Sequence, residues 1–312
     1  MIKKTIGIIG PGYHFEKNII SVLVNNSPFK IGGILRNKKK KYKIYKTFNE
    51  DKFFKEKFDF VYISCPNKLH EKYIIKSLKS GFNVICEKPF VTGDNKLKEI
   101  LILSKKKKKL IFESFMYLYH PLFYKLKKLI NEKKRGKLRY VVSNFRFPSL
   151  NKNNQRYKKK LGDGFFYDAA VYQISVENYL FNNSLINKKE IEQLKIRKKV
   201  DLKGYFAIKN KNFNRFYFWG EGQNYTNNIE FFFNNSCIYV DRFFSKLKNQ
   251  STYIKIFEND KIKSIKFKKN LDHFEYMFYE IFRNYNKLSF QNNHRKRISN
   301  QIKLINTFSS IK

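Results

Sequence analysis

The feature that most constrains the fold is an apolar segment that runs into two glycines and is followed by a helical pattern. Residues 4–9 read as a buried strand, and Gly10-Pro11-Gly12 follows directly. Apolar residues then recur at helical spacing between positions 19 and 24. A strand, a glycine turn and a helix open a parallel sheet whose first helix N-terminus can bind a pyrophosphate. Phe15 replaces the third glycine of that fingerprint, so a plain strand-to-helix turn is the alternative.

The alternation of strands and helices continues to about residue 118. Strands are predicted at 31–35, 58–63, 82–86 and 110–114, with helices at about 68–80 and 94–106. Gly81 directly follows the first of these helices, as expected of a C-cap. Strands separated by helices of this length form a doubly wound parallel sheet, because right-handed crossovers leave few other arrangements. We therefore predict a Rossmann domain over residues 1–118.

Residues 119–312 follow a different pattern. A helix is predicted at about 120–133, a strand at 138–147 and an apolar helix at about 165–180, after a polar loop at 148–163. Strand-like runs follow at 204–209, 213–219, 228–233, 236–241, 252–257 and 262–267, and helices at about 271–286 and 295–309 close the chain. Strands in succession without helices predict an antiparallel or mixed sheet, and hence a second α/β domain.

The formal net charge of +41 raises the question of whether a polyanion is the partner. Of the 66 basic residues 11 are Arg and the remaining 55 are Lys, and the chain holds only three alanines. The lysines are scattered over nearly every predicted helix and loop, which is typical of a solvated surface under a biased codon usage. We therefore expect no specific nucleic-acid partner.

Cysteine usage and hydropathy indicate the class of protein. Cys65, Cys86 and Cys237 are an odd number with no CxxC spacing, so we expect neither a disulfide nor a metal site. The apolar run after Met1 is interrupted by the two glycines and is too short for a signal peptide. Other apolar runs also fall short of the ~20 residues of a membrane helix, so we expect a soluble cytoplasmic protein that does not bind a membrane.

The end of the second predicted strand indicates which dinucleotide would bind. NAD enzymes usually place Asp or Glu there to bind the ribose hydroxyls, whereas this chain has Leu35 and Arg36 followed by Lys38–Lys41. Positive charge at this position favours a 2′-phosphate, and therefore NADP(H) over NAD(H). The alternative is that Arg36 is one more surface cation of a basic protein.

Four motifs carry a resemblance that spans almost the whole chain. They are Ser64-Cys65-Pro66-Asn67-Lys68-Leu69-His70, Cys86-Glu87-Lys88-Pro89, Met116-Tyr117-Leu118-Tyr119-His120-Pro121, and the segment from Gly162 to Tyr172 with the sequence GDGFFYDAAVY. In this order they resemble the glucose-fructose oxidoreductase, inositol dehydrogenase and rhizopine catabolism family (Gfo/Idh/MocA). Two positions depart from the family pattern: Leu118 stands where many relatives have Arg, and Asp163 interrupts a glycine triplet.

The resemblance implies a Rossmann domain followed by an α/β domain with a large open, mainly antiparallel sheet. It also implies NAD(P)-dependent transfer of a hydride to or from a carbon of a sugar, polyol or nucleotide-sugar. In such enzymes the motif lysine and an Asp-x-x-x-His or Asp-x-x-x-Tyr pair form the reacting site, which assigns Lys88, Asp168 and Tyr172 here.

Elementary chemistry agrees with that assignment. Asp168 and Tyr172 are four residues apart, so one helix would present both on one face. A carbonyl that receives a hydride needs a proton, and a tyrosine donates one more readily beside a cation such as Lys88. We therefore predict Tyr172 as proton donor, Lys88 as polarising group and Asp168 as substrate hydroxyl acceptor or orienter. Tyr172 as a packing residue and Asp168 as a surface carboxylate are the alternatives.

The remaining predicted site residues surround these. The cofactor set is Gly10, Gly12, Tyr13, Arg36, Cys65, Pro66, Asn67, His70, Glu87 and Lys88, and the substrate set is His120, Asp168 and Tyr172. For His70, a polar residue that opens a helix is an equal alternative. The basic loop residues Arg156 and Lys158–Lys160 could clamp a diphosphate, which favours a nucleotide-sugar, or could simply be solvated.

Two functional hypotheses remain open at this point. The first is the oxidoreductase, and the second is a non-catalytic dinucleotide-binding or polyanion-binding protein on the same fold. An open sheet also leaves one face available for a second copy of the chain, so we expect a homo-oligomer.

Overall fold

The computed structural model describes residues 2–35, 45–159, 164–183, 185–247, 249–268 and 272–311. The chain divides into two compact units. The first contains the residues up to Met116 together with Phe274–Ile302, and the second contains Tyr117–His273 and the residues from Lys303 onward. The break at Met116 lies close to the boundary expected near residue 118. The assignment of segment 274–302 differs from the expectation. The sequence placed it in the second domain, but in the structure it belongs to the first unit.

Fourteen strands and eight α-helices lie within the described residues. The strands are β1 (Lys4–Ile9), β2 (Phe29–Leu35), β3 (Thr47–Phe48), β4 (Phe60–Ile63), β5 (Asn83–Cys86), β6 (Ile111–Glu113), β7 (Leu138–Phe147), β8 (Ile191–Arg197), β9 (Asp201–Ile208), β10 (Asn214–Glu221), β11 (Thr226–Phe233), β12 (Cys237–Asp241), β13 (Thr252–Glu258) and β14 (Lys261–Phe267). The helices are α1 (Ile20–Asn25), α2 (Glu50–Phe53), α3 (His70–Lys79), α4 (Leu97–Lys106), α5 (Pro121–Leu129), α6 (Val171–Tyr179), α7 (His273–Asn284) and α8 (Leu288–Ser310).

The first unit is built on a six-stranded sheet in the order β3-β2-β1-β4-β5-β6, and all neighbouring strands are parallel. Every residue of β4 and β5 is buried, as expected when helices cover both faces of a parallel sheet. Strand β1 lies between β2 and β4, so the chain order reverses there and a crevice opens at the carboxyl ends of β1 and β4. The predicted Rossmann arrangement is confirmed.

The return of segment 274–302 to the first unit has a packing reason. The ring of Phe29 in β2 lies 5.8 Å from that of Phe278 and 6.1 Å from that of Phe282, centroid to centroid. Both partners belong to α7, which therefore shares its apolar core with the Rossmann sheet. Sequence order alone does not reveal which sheet a C-terminal amphipathic helix covers, because its apolar face can pack on either one.

The second unit is built on an eight-stranded sheet in the order β14-β13-β12-β11-β7-β10-β9-β8. Only β7 and β10 are parallel; the other neighbouring pairs are antiparallel, which confirms the predicted open, mainly antiparallel sheet. Inward residues of the central strands alternate with outward ones, and all nine residues of α6 are buried. Strand β8 was not predicted, because it is an edge strand with charged residues between its apolar ones.

The predicted C-cap of the helix that ends before Gly81 is confirmed by the backbone geometry. Gly81 has φ +81° after the C-cap Ser80 of α3, and the amides of Gly81 and Phe82 donate to carbonyls of the preceding turn. Arg36, Lys38–Lys41 and Lys160–Asp163 lie outside the described residues. Within the described part of the chain, no helix combines the length and the apolar character needed to cross a bilayer.

Candidate functional site

The glycine turn after β1 brings the backbone close to the end of β4. Gly10 has φ +65°, and a Cβ on it would lie 2.4 Å from Cβ of Cys65, so only glycine fits. At Gly12, by contrast, no atom of the described residues lies within 4 Å of the position of a Cβ. The first helical turn begins directly after Gly12, with the amide of Glu16 donating to its carbonyl. The turn therefore combines a close backbone approach with space beside a helix N-terminus, as a pyrophosphate site requires.

The segment after β4 supports this turn from the neighbouring strand. Cys65 is buried, and burial raises the pKa of its thiol to about 12, so it stays a packing residue. Pro66 and Asn67 are half-buried and lead into the 3-10 turn Asn67–Leu69 before α3. They lie at the crevice edge where the sequence predicts cofactor contacts. Tyr13, in the first turn after Gly12, is largely exposed, and Lys17 lies over its ring.

His70 has a different environment from the one that the cofactor prediction implies. Its ring is fully buried, and Nδ1 lies 2.8 Å from the carbonyl oxygen of Pro89 while Nε2 lies 3.0 Å from that of Cys65. Burial lowers the pKa of this imidazole. The ring thus links the segment after β4 to the segment after β5, and any effect on the cofactor would act through these backbone contacts.

Glu87 and Lys88 follow β5 at the same edge of the sheet. The phenol of Tyr62 and the imidazole of His14 both contact Oε1 of Glu87, the latter with Nε2 at 3.5 Å. Burial opposes ionisation of this carboxyl, but His14, Tyr62 and Lys88 together hold the pKa of Glu87 below its usual value. Glu87 is therefore a carboxylate that ties the first helix to the lysine segment. Lys88 itself is half-buried.

A second carboxyl, Glu113, lies on the next strand and was not identified from the sequence. It ends β6 opposite Cys86, its side chain is buried, and its Oε1 accepts a hydrogen bond from the amide of Phe90 at 2.8 Å. Burial raises its pKa to about 8, although Lys88 acts in the opposite direction. A glutamate inside the apolar run 110–115 was the sequence signal for it.

In the second unit, Asp168 and Tyr172 occupy one helical segment, as predicted. Asp168 lies in the π-helical turn Phe166–Ala170, and Tyr172 lies in the first turn of α6, which follows. The ring of Tyr172 is buried among aromatic rings, with those of Phe145 and Phe244 at centroid distances of 5.2 Å and 5.6 Å. This packing fixes the direction of the phenol.

Arg156 binds the carboxylate of Asp168, whereas the sequence predicted that it would bind a diphosphate. Its Nε and Nη2 donate to Oδ2 and Oδ1 of Asp168 at 2.6 Å and 3.2 Å, and its charge also interacts with Tyr172. Asp168 raises the pKa of the guanidinium, which stays charged. The sequence grouped Arg156 with the lysines of a diphosphate clamp, but its fork is occupied by the carboxylate. Arg156 and Asp168 are 12 residues apart, on a loop and on a helix, so no helical or strand spacing indicated the pair.

His120 caps α5 and is buried. Its Nδ1 accepts a hydrogen bond from the amide of Leu122 at 3.1 Å. It lines a cavity of about 10 Å³ together with Tyr117, Arg242, Lys246 and His273. A cavity of this size holds about one water molecule and is too small for a sugar ring.

The structure thus places the predicted residues in two groups. Gly10, Gly12, Cys65, Glu87 and Lys88 lie at the carboxyl edge of the first sheet. Asp168, Tyr172 and His120 lie in the second unit.

Two models of one protein family match the chain. "Oxidoreductase family, NAD-binding Rossmann fold" matches residues 4–115, and "GFO/IDH/MocA C-terminal domain" matches residues 123–188. Together they cover more than half of the chain and fall on the two parts that the sequence distinguished.

Curated relatives include a reductase and a dehydrogenase. The dTDP-3,4-didehydro-2,6-dideoxy-alpha-D-glucose 3-reductase of Actinomadura kijaniata is 29% identical over 116 residues, 37% of this chain and 35% of that protein. The scyllo-inositol 2-dehydrogenase (NADP(+)) IolU of Bacillus subtilis (strain 168) is 28% identical over 131 residues, 40% of this chain and 39% of that protein. The chain thus matches little more than a third of the length of these relatives.

Solved structures share the whole fold. A variant of a 3-ketoreductase from Actinomadura kijaniata, in complex with TDP-benzene and NADP, superposes with a TM-score of 0.88 at 18% identity. The match covers 99% of this chain and 97% of that chain. An aldose-aldose oxidoreductase from Caulobacter crescentus superposes with a TM-score of 0.83 at 15% identity, over 99% and 97% of the two chains. At these identities the likeness shows the fold.

Proposed function

Since this chain belongs to the Gfo/Idh/MocA oxidoreductase family, we propose that it is an NAD(P)-dependent oxidoreductase. It transfers a hydride to or from a carbon of a sugar, polyol or nucleotide-sugar. One observation carries this proposal: Gly10 packs against Cys65, open space lies beside Gly12, and Glu87-Lys88 follows a strand of the same sheet at the same edge. A dinucleotide site and a lysine on one sheet edge are what this chemistry requires.

The residues present fit a dinucleotide. The turn around Gly12 would hold the pyrophosphate, because a helical turn begins there and the first amides of a helix point out of its N-terminus and attract an anion. When bound, the nicotinamide supplies or accepts the hydride. NADP(H) is preferred in this proposal because Arg36 follows β2, and the B. subtilis relative carries NADP(+) in its name.

Proton handling is assigned to Tyr172 and Lys88. An alkoxide that forms at the substrate carbon takes its proton from the phenol of Tyr172, and the ammonium of Lys88 stabilises the developing negative charge. Lys88 lies in the first unit and Tyr172 in the second, so this assignment rests on the family motif and on the chemistry of the two groups. Asp168 orients a substrate hydroxyl, since a carboxylate paired with Arg156 still has lone pairs to accept a hydrogen bond.

A nucleotide-linked sugar is the preferred substrate class within this proposal. The A. kijaniata relative is a reductase of a dTDP-linked keto-sugar. Lys158 and Lys159 are exposed beside Arg156, on the loop that leads to the Asp168 helix. Two ammonium groups there would balance the charge of a diphosphate, while the pairing of Arg156 with Asp168 reserves that guanidinium for the reacting site.

The protein is proposed to act as a homo-oligomer. The outward face of the second sheet carries aromatic residues, among them Tyr140, whose ring stacks on that of Phe232 at 4.4 Å, and Phe218 beside Tyr205. Tyr140 remains 41% exposed. An apolar face of this kind is stabilised when a second copy covers it.

A substrate screen tests the proposed activity. Nucleotide-linked keto-sugars and free polyols are incubated with NADPH, NADH and their oxidised forms, and the nicotinamide absorbance is followed. We expect turnover with a nucleotide-linked keto-sugar and NADPH. Replacing Lys88 by Met should lower the hydride-transfer rate by about 100-fold or more while NADPH still binds. The control is Lys79→Met, on the exposed side of α3, which should retain the wild-type rate.

Two results would contradict the assignment. Unchanged turnover in Lys88→Met would remove Lys88 from the chemistry. Absence of turnover with every substrate class, together with NADPH retention that resists added salt, would instead favour a non-catalytic dinucleotide-binding protein. Retention of polyanions that collapses with salt would indicate nonspecific charge attraction.

A further inference from the structure

Glu113 is a buried carboxyl group that the proposed mechanism does not use. It is the last residue of β6, lies opposite Cys86 of β5, and is only 2% exposed. A fully buried glutamate is rare unless its charge is paired or its proton is retained. Its position one strand away from the lysine segment suggests a link to Lys88.

The two carboxyl oxygens of Glu113 have different environments. Oε1 accepts the hydrogen bond from the amide of Phe90 at 2.8 Å. Oε2 is buried and has no hydrogen-bond partner among the residues that the structure describes. An ionised oxygen in that position would be poorly compensated, whereas a neutral acid carries its proton there at less cost.

The backbone segment that carries Lys88 is held from two sides. Glu113 binds the amide of Phe90, and the ring of His70 binds the carbonyl oxygen of Pro89 at 2.8 Å. The other nitrogen of the same ring lies 3.0 Å from the carbonyl oxygen of Cys65, which packs against Gly10. Lys88 directly precedes this anchored pair, so its position depends on both contacts.

The charged groups around Glu113 shift its pKa in opposite directions. Those that interact with it are Lys88, which lowers the pKa of Glu113, Glu87, which raises it, and the thiol of Cys86. Burial is the largest effect and raises the pKa of Glu113 to about 8. The acid is therefore mainly neutral at pH 7 and ionises in a mildly alkaline solution.

We propose that Glu113 is a positioning residue for Lys88, which anchors the lysine segment as a neutral acid and places a negative charge beside the ammonium when it ionises. The charge of Glu113 acts on Lys88 directly, because the two side chains interact electrostatically. A carboxylate at this position offsets part of the field that Lys88 exerts on the substrate oxygen, so hydride transfer to a carbonyl slows when Glu113 loses its proton. Only this kinetic consequence rests on the proposed function.

The first test measures the protonation of Glu113 without any turnover. Glutamate labelled with ¹³C at the δ position is incorporated, and the chemical shifts are followed against pH. We expect one resonance that titrates near pH 8 and is absent from Glu113→Gln. Lys88→Met should move this titration to higher pH and Glu87→Gln should move it to lower pH, because the two neighbours act with opposite signs.

The control is another glutamate of the same unit. Burial also raises the pKa of Glu71, at the start of α3, but its interacting charges are Lys96 and Lys68. Glu71→Gln should leave the Glu113 titration in place. A Glu113 resonance that titrates below about pH 6, or that ignores both neighbour substitutions, would overturn the inference.

The second test uses the pH profile of hydride transfer. Glutamine keeps an oxygen that accepts from Phe90 but cannot ionise, so Glu113→Gln should fold and bind NADPH like the wild type. The wild-type single-turnover rate should fall at least about threefold over the pH unit above the Glu113 titration, and this fall should be absent from Glu113→Gln. The same fall in both proteins would overturn the kinetic consequence. If no substrate is turned over, the proposed activity fails while the resonance titration still decides the role of Glu113.

Discussion

The guanidinium of Arg156 and the carboxylate of Asp168 form a two-point ion pair, with Nε 2.6 Å from Oδ2 and Nη2 3.2 Å from Oδ1. The pair joins the basic loop to the helix of Tyr172, and the same cation interacts with Tyr172. A bidentate pair fixes orientation as well as charge. The loop therefore contributes a structural element of the candidate site and not only surface charge.

Removing this guanidinium should reduce catalysis more than stability. We expect Arg156→Gln to lower kcat/KM by about 10- to 100-fold, mainly through kcat, because Asp168 loses its orientation. Arg156→Lys should retain only part of the wild-type kcat/KM, since an ammonium cannot form the two-point contact with the carboxylate of Asp168. Arg197→Gln, which removes the exposed guanidinium that pairs with Asp201, is the control and should stay within about twofold of wild type. Steady-state kinetics with thermal melts checks this, and equal losses in both Gln variants would contradict it.

The two glycines of the first turn should respond differently to alanine. Gly10→Ala introduces a Cβ against Cys65 at positive φ and should cost about 1–3 kcal/mol of unfolding free energy. Gly12→Ala meets no described atom, so it should preserve stability but weaken NADPH binding by about tenfold or more, because the methyl group occupies the pyrophosphate side. Urea unfolding and fluorescence titration with NADPH separate the effects. Undiminished affinity in Gly12→Ala would move the pyrophosphate elsewhere.

A buried ion pair in the second unit should dominate the stability of its core. Glu177 and Arg215 are 0% and 2% exposed, with Nε 3.2 Å from Oε1, and Tyr217 donates to the same oxygen at 2.5 Å. Either Glu177→Leu or Arg215→Met alone should cost about 3–5 kcal/mol, because the partner charge remains buried. The double variant should cost less than the worse single one. A double-mutant cycle in urea checks this, and simple additivity would refute it.

The raised pKa of Glu113 has a consequence for stability. A carboxyl that holds its proton more tightly when folded stabilises the fold below its unfolded pKa, and this contribution is lost as pH rises through the folded value. The window therefore runs from about pH 4.5 to about pH 8. The wild type should lose this stability as pH rises, whereas Glu113→Gln should not. The unfolding free energy of Glu113→Gln minus that of wild type should therefore increase by about 3–5 kcal/mol from about pH 5 to about pH 9. Urea unfolding at both pH values measures it, and a constant difference would contradict the pKa shift.

The outward face of the second sheet should control assembly. Phe218→Lys places a charge in the middle of the aromatic face and should convert a homo-oligomer to monomers, because burying an ammonium there is costly. Tyr124→Lys, at an exposed aromatic residue of α5, is the matched control and should leave the molar mass unchanged. Light scattering after size-exclusion chromatography gives the result. A monomeric wild type, or an intact Phe218→Lys oligomer, would exclude this face as the interface.

Much of the fold could be predicted because the signals are local. The strand that ends at Ile9, the positive φ of Gly81 and the long β7 follow from hydrophobic period and glycine placement. Strand β8 was missed because it lies at the edge of the sheet. An edge strand pairs with a neighbour on one side only and can carry polar and charged residues, so its hydrophobic alternation is weak. The unit to which 274–302 belongs was also missed, because an apolar helix face does not specify which core it joins.

The candidate site shows the same division. The sequence by itself determined the Rossmann turn, the Glu87-Lys88 motif and the Asp168-Tyr172 spacing, because each depends on residues that are adjacent or one helical turn apart. Only the tertiary structure decided that Arg156 pairs with Asp168, that His70 is buried between two carbonyl groups, and that Glu113 lies beside the lysine segment. Those contacts join groups on different loops, helices and strands, 5 to 23 positions apart in the chain. Their energies depend on burial, which exists only after the chain has folded.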